Sequence, residues 1–117
     1  MPKLKKIKKI ETYEEYLGDD TSSPSTAFYY AQNVIKDRFI DGEDVISTDA
    51  AWATNYAYFI LKERFLKAEK IISSDPYWIL LYSMYVVKGR WLEGEESICK
   101  NNQYAYWYVK EVLEKYE

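Results

Sequence analysis

Apolar and polar positions recur along this chain with a period of 26 residues. Ala27, Tyr30, Ala31 and Val34 are followed at that interval by Ala53, Tyr56, Ala57 and Ile60, then by Ile79, Tyr82, Ser83 and Val86. A further set begins at Ala105, Tyr108 and Val112. Spacing of i, i+3, i+4 and i+7 is one face of an α-helix, and small residues on that face let a neighbour approach closely. Ser23, Asp49, Asp75 and Asn101 stand before the four sets, and all belong to the strong N-cap group. Pro24 and Pro76 follow in the first helical position, where a missing N–H costs nothing. The pattern predicts a long helix in each unit, running to about Asp37, Glu63 and Gly89.

A charged corner recurs with the same period. Arg38, Arg64 and Arg90 lie five residues before Glu43, Glu69 and Glu95. Each glutamate is expected to open a second helix of one to two turns, where acidic charge suits the helix dipole. That helix buries Val45 and Ile46, Ile71 and Ile72, or Ile98. Continued as a helix, the apolar stripe reaches the arginines, so they are expected to be at least partly buried. A buried guanidinium needs a partner, and the glutamates are the acids that keep step with it. Arg38, Arg64, Arg90, Glu43, Glu69 and Glu95 therefore read as a structural ladder, with Tyr30, Tyr56 and Tyr82 placed to hydrogen-bond it. An arginine row reading phosphates is the alternative. Three glutamates in step with three arginines favour the structural reading.

The fold class expected is all-α, a short α-solenoid of 26-residue long-helix/short-helix repeats. Its parts are a basic arm and N-terminal cap (1–22), repeats at 23–48, 49–74 and 75–100, and a C-terminal capping helix at 101–117. Thr12 to Glu15 reads as a capping box opening a short helix, the second half of a degenerate unit. The last helix carries Lys110, Glu111, Glu114 and Lys115, with Tyr116 in the arginine slot. A polar final helix suits the end of a stack.

If the recurring residues build the scaffold, the outward positions that vary carry specificity. Four slots point away from the apolar stripe, and a solvated face there should be charged. Instead it holds Tyr29, Tyr58, Phe59, Leu81, Met84, Tyr85 and Trp107, beside a row of Lys36, Lys62 and Lys88. Residues 77–87 are apolar all round, which marks burial or an interface. Aromatic and methionine side chains rimmed by lysine form a protein-docking composition, for a partner or a second copy of the chain. Aromatics beside lysines also suit single-stranded nucleic acid, but residues 11–117 carry 11 basic and 19 acidic side chains, a balance that opposes it.

Composition narrows the chemistry. The 117 residues, 48% hydrophobic, suffice for one domain with its own core. The longest uncharged apolar run falls well short of the ~20 residues a membrane helix needs. The first ten residues carry five lysines and no acid, which leaves no apolar core for a signal peptide. There is no histidine and one cysteine, Cys99, so the commonest general base, the commonest zinc ligand and any disulfide framework are missing. No phosphate loop, activated nucleophile or metal-ligand spacing occurs. The expectation is a non-catalytic, cytoplasmic binding module with no cofactor, metal or membrane partner.

The unit Ala-x-x-Tyr-Ala-x-x-Val-[Ile/Leu]-Lys-x-Arg-[Phe/Trp]-x-x-[Gly/Ala]-Glu-x-x-Ile resembles short helical repeats of small bacteriophage and bacterial proteins. Residues 27–46, 53–72 and 79–98 carry it, and the third copy departs at Ile79 and Ser83, where helix spacing is expected to widen. The resemblance implies a phage-type accessory protein acting inside a bacterial cell by binding a host factor.

Overall fold

The structure is a computed structural model and describes residues 23–116. The basic arm and the capping box at Thr12 lie outside them. The described residues are helical, with no strand among them. Four long helices begin with α-helical segments α1 (Pro24–Tyr30), α3 (Ala50–Tyr56), α5 (Pro76–Tyr82) and α7 (Asn102–Tyr108). Between them lie the short helices α2 (Glu43–Ile46), α4 (Glu69–Ile72) and α6 (Leu92–Ile98); α8 (Glu114–Tyr116) closes the chain. A 3₁₀ turn leads into α2 and α4, whereas α6 absorbs that turn and starts three residues earlier than expected.

The four N-caps act as the sequence predicts. Ser23 Oγ accepts from the Thr26 N–H at 3.3 Å, and Asp49 Oδ1 from the Trp52 N–H at 3.0 Å. Asp75 Oδ1 accepts from the Tyr77 N–H at 3.1 Å, and Asn101 Oδ1 from the Tyr104 N–H at 3.1 Å. Each satisfies a donor that the first turn leaves without a helical partner.

The first three long helices do not end as α-helices. All four long helices pass into a wider π-helical turn: Ala31–Ile35, Ala57–Leu61, Ser83–Val87 and Val109–Leu113. In the first three, the next residue has left-handed backbone: Lys36 at φ 58°, Lys62 at φ 56° and Lys88 at φ 57°. Their N–H groups reach back five residues, Lys36 to the Ala31 carbonyl and Lys62 to the Ala57 carbonyl at 2.7 Å. A left-handed conformation costs a residue with a Cβ about 1–2 kcal/mol, and glycine much less. In the last unit Glu114 has φ −74°, and the helix runs on into α8.

This ending corrects one expectation. The arginine side chains are half-exposed, at 49% for Arg38, 41% for Arg64 and 51% for Arg90. The chain turns left-handed two residues before each arginine, so arginine leaves the apolar stripe instead of continuing it. Glutamate is the buried member of the pair, with side chains 4% exposed at Glu43, 14% at Glu69 and 19% at Glu95.

Successive long helices pack on one another, α1 on α3, α3 on α5 and α5 on α7, and their π turns pack in the same order. The core between them is a row of equivalents. Ala53, Tyr56, Ala57, Ile79, Tyr82 and Ser83 are wholly buried, as are Ile46, Ile72 and Ile98 from the short helices. Phe39, Phe65 and Trp91 close the corner, with Tyr30 against Phe39 at 4.9 Å, Tyr56 against Phe65 at 5.1 Å and Tyr82 against Trp91 at 4.8 Å. The larger Ile79 is accommodated locally: a Cβ on Gly94 would stand 2.7 Å from its Cγ2.

The end helix is less polar outside than the sequence suggests. Lys110, Glu114 and Lys115 are exposed, but so are Tyr106, Trp107 and Val109. These apolar side chains lie on a segment with no following long helix among the described residues to cover them.

Candidate docking surface

The two recurring residue sets perform separable jobs, and the corner comes first. Arg64 Nε and Nη2 donate to Glu69 at 2.7 and 2.6 Å, a two-pronged ion pair. Arg38 and Arg90 hold Glu43 and Glu95 in the same way, within the unit. The tyrosine of the next long helix completes each corner. Tyr82 Oη donates to Glu69 Oε2 at 2.6 Å and accepts the Phe65 N–H at 2.9 Å. Tyr56 bonds Glu43 and the Phe39 N–H, and Tyr108 bonds Glu95 and the Trp91 N–H. The ladder thus ties each unit to the next through a buried hydroxyl. Tyr108 belongs to it, although the sequence reading stops at Tyr82.

The electrostatics follow from that geometry. Burial alone would raise the Glu69 carboxyl, but hydrogen bonds from Arg64 and Tyr82 outweigh it and hold the group below the ordinary carboxylate range. At Glu95 the Arg90 hydrogen bond is the chief cause of a downward shift, opposed by burial and helped by Tyr108. Burial raises the Tyr56, Tyr82 and Tyr108 phenols well above their usual value; the bond each gives to its carboxylate adds to this, and the N–H each accepts opposes it. A fixed, charge-compensated carboxylate repeated in three corners acts as a fastening, and the first pair, Arg38 with Glu43, also lines a hollow of ≈ 340 Å³. Among the described residues no group of three or more histidine, cysteine or acidic side chains could hold a metal ion.

The outward set gathers elsewhere. Tyr58, Phe59, Lys62, Tyr85 and Lys88 line a cleft of ≈ 730 Å³ between the second and third long helices, with Ala57 and Val86. Tyr58, Phe59 and Tyr85 also line an adjoining hollow of ≈ 380 Å³ with Leu81, Trp78, Asn55 and Thr54. Tyr58 meets Phe59 edge-on at 4.8 Å and Tyr85 at 5.8 Å. Phe59 lies 6.4 Å from Phe28 in the preceding helix.

Six of the ten expected docking residues therefore converge: Tyr58, Phe59, Leu81, Tyr85, Lys62 and Lys88. Tyr29 and Lys36 are exposed on the first long helix, outside the lining, and Tyr29 packs on Trp52. Trp107 pairs with Tyr106 on the last helix. Met84 is half-buried against the core, which corrects its reading as an outward side chain; the neighbouring helices cover a slot that helix periodicity alone leaves open.

Two features escaped the sequence reading. Trp78 lines the hollow; its signal was an aromatic at the same slot in Trp52 and Tyr104. Ile40, Leu66 and Leu92 recur with the 26-residue period yet stand 68%, 71% and 64% exposed. Recurrence without burial is not explained by packing in this chain. The chain matches no protein-family model, no curated protein and no solved structure. No helix among the described residues is long and apolar enough to cross a membrane.

Proposed function

We propose that this protein is a non-catalytic helical-repeat binding module, a short solenoid that docks a protein partner through the aromatic cleft between its second and third long helices. The observation that carries this reading is the convergence of Tyr58, Phe59 and Tyr85, 46%, 53% and 48% exposed, around one cleft with lysines among its lining residues. Exposed rings clustered beside polar side chains are the composition of interface hot spots. The likeness of the repeat to those of small bacteriophage and bacterial proteins makes a host protein in the bacterial cytoplasm the partner to seek.

The test is affinity capture from a bacterial lysate with the full chain as bait. Recovery of one host protein, lost with Phe59→Ala and with Tyr85→Ala while both variants stay folded, supports the reading. Capture unaffected by either variant moves the docking surface elsewhere. The presence of Lys62 and Lys88 among the cleft's lining residues supports a second reading, single-stranded nucleic acid. It requires recovery of RNA or DNA that weakens with added salt and with Lys62→Ala.

A further inference from the structure

Three lysines occupy backbone that suits glycine. Among the described residues, Lys36, Lys62 and Lys88 are the non-glycine residues with positive φ, and they hold the same slot in their units. Nothing in the backbone there calls for lysine, and a Cβ in this conformation destabilises the fold. A disfavoured residue kept at three equivalent places is explained by what its side chain does. The left-handed turn fixes the direction in which each Cβ leaves the chain, and all three residues are exposed.

Lys62 and Lys88 share one cleft with Tyr58, Phe59 and Tyr85, and no aspartate or glutamate is among its lining residues. Glu63, the next residue after Lys62, instead lines the hollow beside Arg38. The cleft therefore offers apolar rings and two cations without the carboxylates that neutralise lysine elsewhere on the molecule.

We propose that this cleft takes an acidic linear peptide: a bulky apolar residue seated on Tyr58, Phe59 and Tyr85, flanked by carboxylates that pair with Lys62 and Lys88. This deepens the protein-docking reading above and rests on it. The spacing follows from the repeat. The two lysines hold equivalent positions on adjacent packed helices, whose axes lie about 8–10 Å apart. Three residues of a peptide in the polyproline II conformation cover about 9 Å and make one full turn, so carboxylates at i and i+3 share a face on either side of the anchor. The rings favour this occupant over nucleic acid. Tyr58 and Phe59 meet at 78° and Tyr58 and Tyr85 at 63°, so they cover one another edge to face. Successive bases need open ring faces on which to stack.

The test uses the full chain and a fluorescein-labelled octapeptide containing Glu-Leu-Trp-Glu. Its controls are the Gln-Leu-Trp-Gln and Glu-Ala-Ala-Glu versions and a labelled 12-mer of oligothymidylate. The first peptide is expected to bind saturably, and each control peptide at least tenfold more weakly. The double variant Lys62→Gly, Lys88→Gly removes both charges while giving the left-handed positions the residue they suit, so its melting temperature should be unchanged or higher. It should weaken the acidic peptide at least tenfold and leave the glutamine version unaffected. Equal binding of the glutamate and glutamine peptides, both lost with Phe59→Ala, overturns the acidic specificity and leaves the docking surface standing. No peptide binding at millimolar concentration overturns the proposal, and the lysate capture then judges the docking reading separately. Tighter binding of the oligothymidylate overturns it in favour of nucleic acid.

Discussion

The corner tyrosine is the residue on which the stack depends most. Tyr82 is fully buried, and its hydroxyl satisfies both the Phe65 N–H and the Glu69 carboxylate. Tyr82→Phe leaves a buried donor without its acceptor and is expected to cost about 1–3 kcal/mol in urea unfolding. Arg64→Met should cost less than Tyr82→Phe: the guanidinium is 41% exposed, so water replaces part of what it loses, and Glu69 keeps its tyrosine. The reverse order would show that the ion pair, not the hydroxyl, holds the corner. The pH dependence has two limbs. Glu69 and Glu95 titrate lower folded than unfolded, so their contribution is present above about pH 4.3 and fades as pH falls below it. The phenols titrate higher folded than unfolded, so their contribution is complete below about pH 10 and fades as pH rises beyond it. Urea midpoints measured across the pH range should fall at both ends, and Tyr82→Phe should flatten the alkaline limb.

At the scale of the element, side-chain volume is traded between two slots of the second and third units, whereas the first unit, with Ala27 and Gly42, is small at both. The second unit sets Ala68 at the slot where the first has Gly42 and the third Gly94, and Ala53 at the slot of Ile79. Two alanines share the space that isoleucine and glycine divide unequally. A Cβ on Gly94 would lie 2.7 Å from Ile79 and 2.9 Å from the Trp91 ring, so Gly94→Ala overpacks the corner and is expected to cost about 1–3 kcal/mol. Adding Ile79→Ala should relieve much of that strain, giving a coupling clearly different from zero in a double-mutant cycle. Additive costs would mean the two side chains do not compete for the same volume. What could be read from the chain alone follows the same division. N-caps and the helical stripe obey local rules, so Ser23, Asp49, Asp75 and Asn101 announce their helices. The wide final turn and the left-handed lysines obey no local signal, because lysine is an ordinary helix residue. Missing them carried the stripe two residues too far and put the arginines inside. The cleft was half legible: periodicity shows which way Tyr58 and Tyr85 point, but only the packing of neighbouring helices shows that they meet and that Met84 does not join them.

In the whole molecule, a residue's worth depends on its place in the stack as much as on its slot in the repeat. Phe28, Thr54 and Leu80 share a slot and are 4%, 5% and 8% exposed, whereas Tyr106, at the same slot of the last long helix, is 55% exposed. Ala31, Ala57 and Ser83 are wholly buried, and their equivalent Val109 is 42% exposed. In the first three units this face has a following long helix to meet; the last has none among the described residues. Large-to-small changes cost what the lost contacts and the remaining cavity dictate. Leu80→Ala is therefore expected to destabilise by about 2–4 kcal/mol, and Tyr106→Ala by no more than about 0.5 kcal/mol. Urea unfolding of both variants at several protein concentrations checks this. A cost for Tyr106→Ala that approaches that of Leu80→Ala and grows with concentration would mean that a second copy covers the end of the stack. A small, concentration-independent cost would mean that Tyr106 stays exposed in solution, its ring uncovered by a second copy.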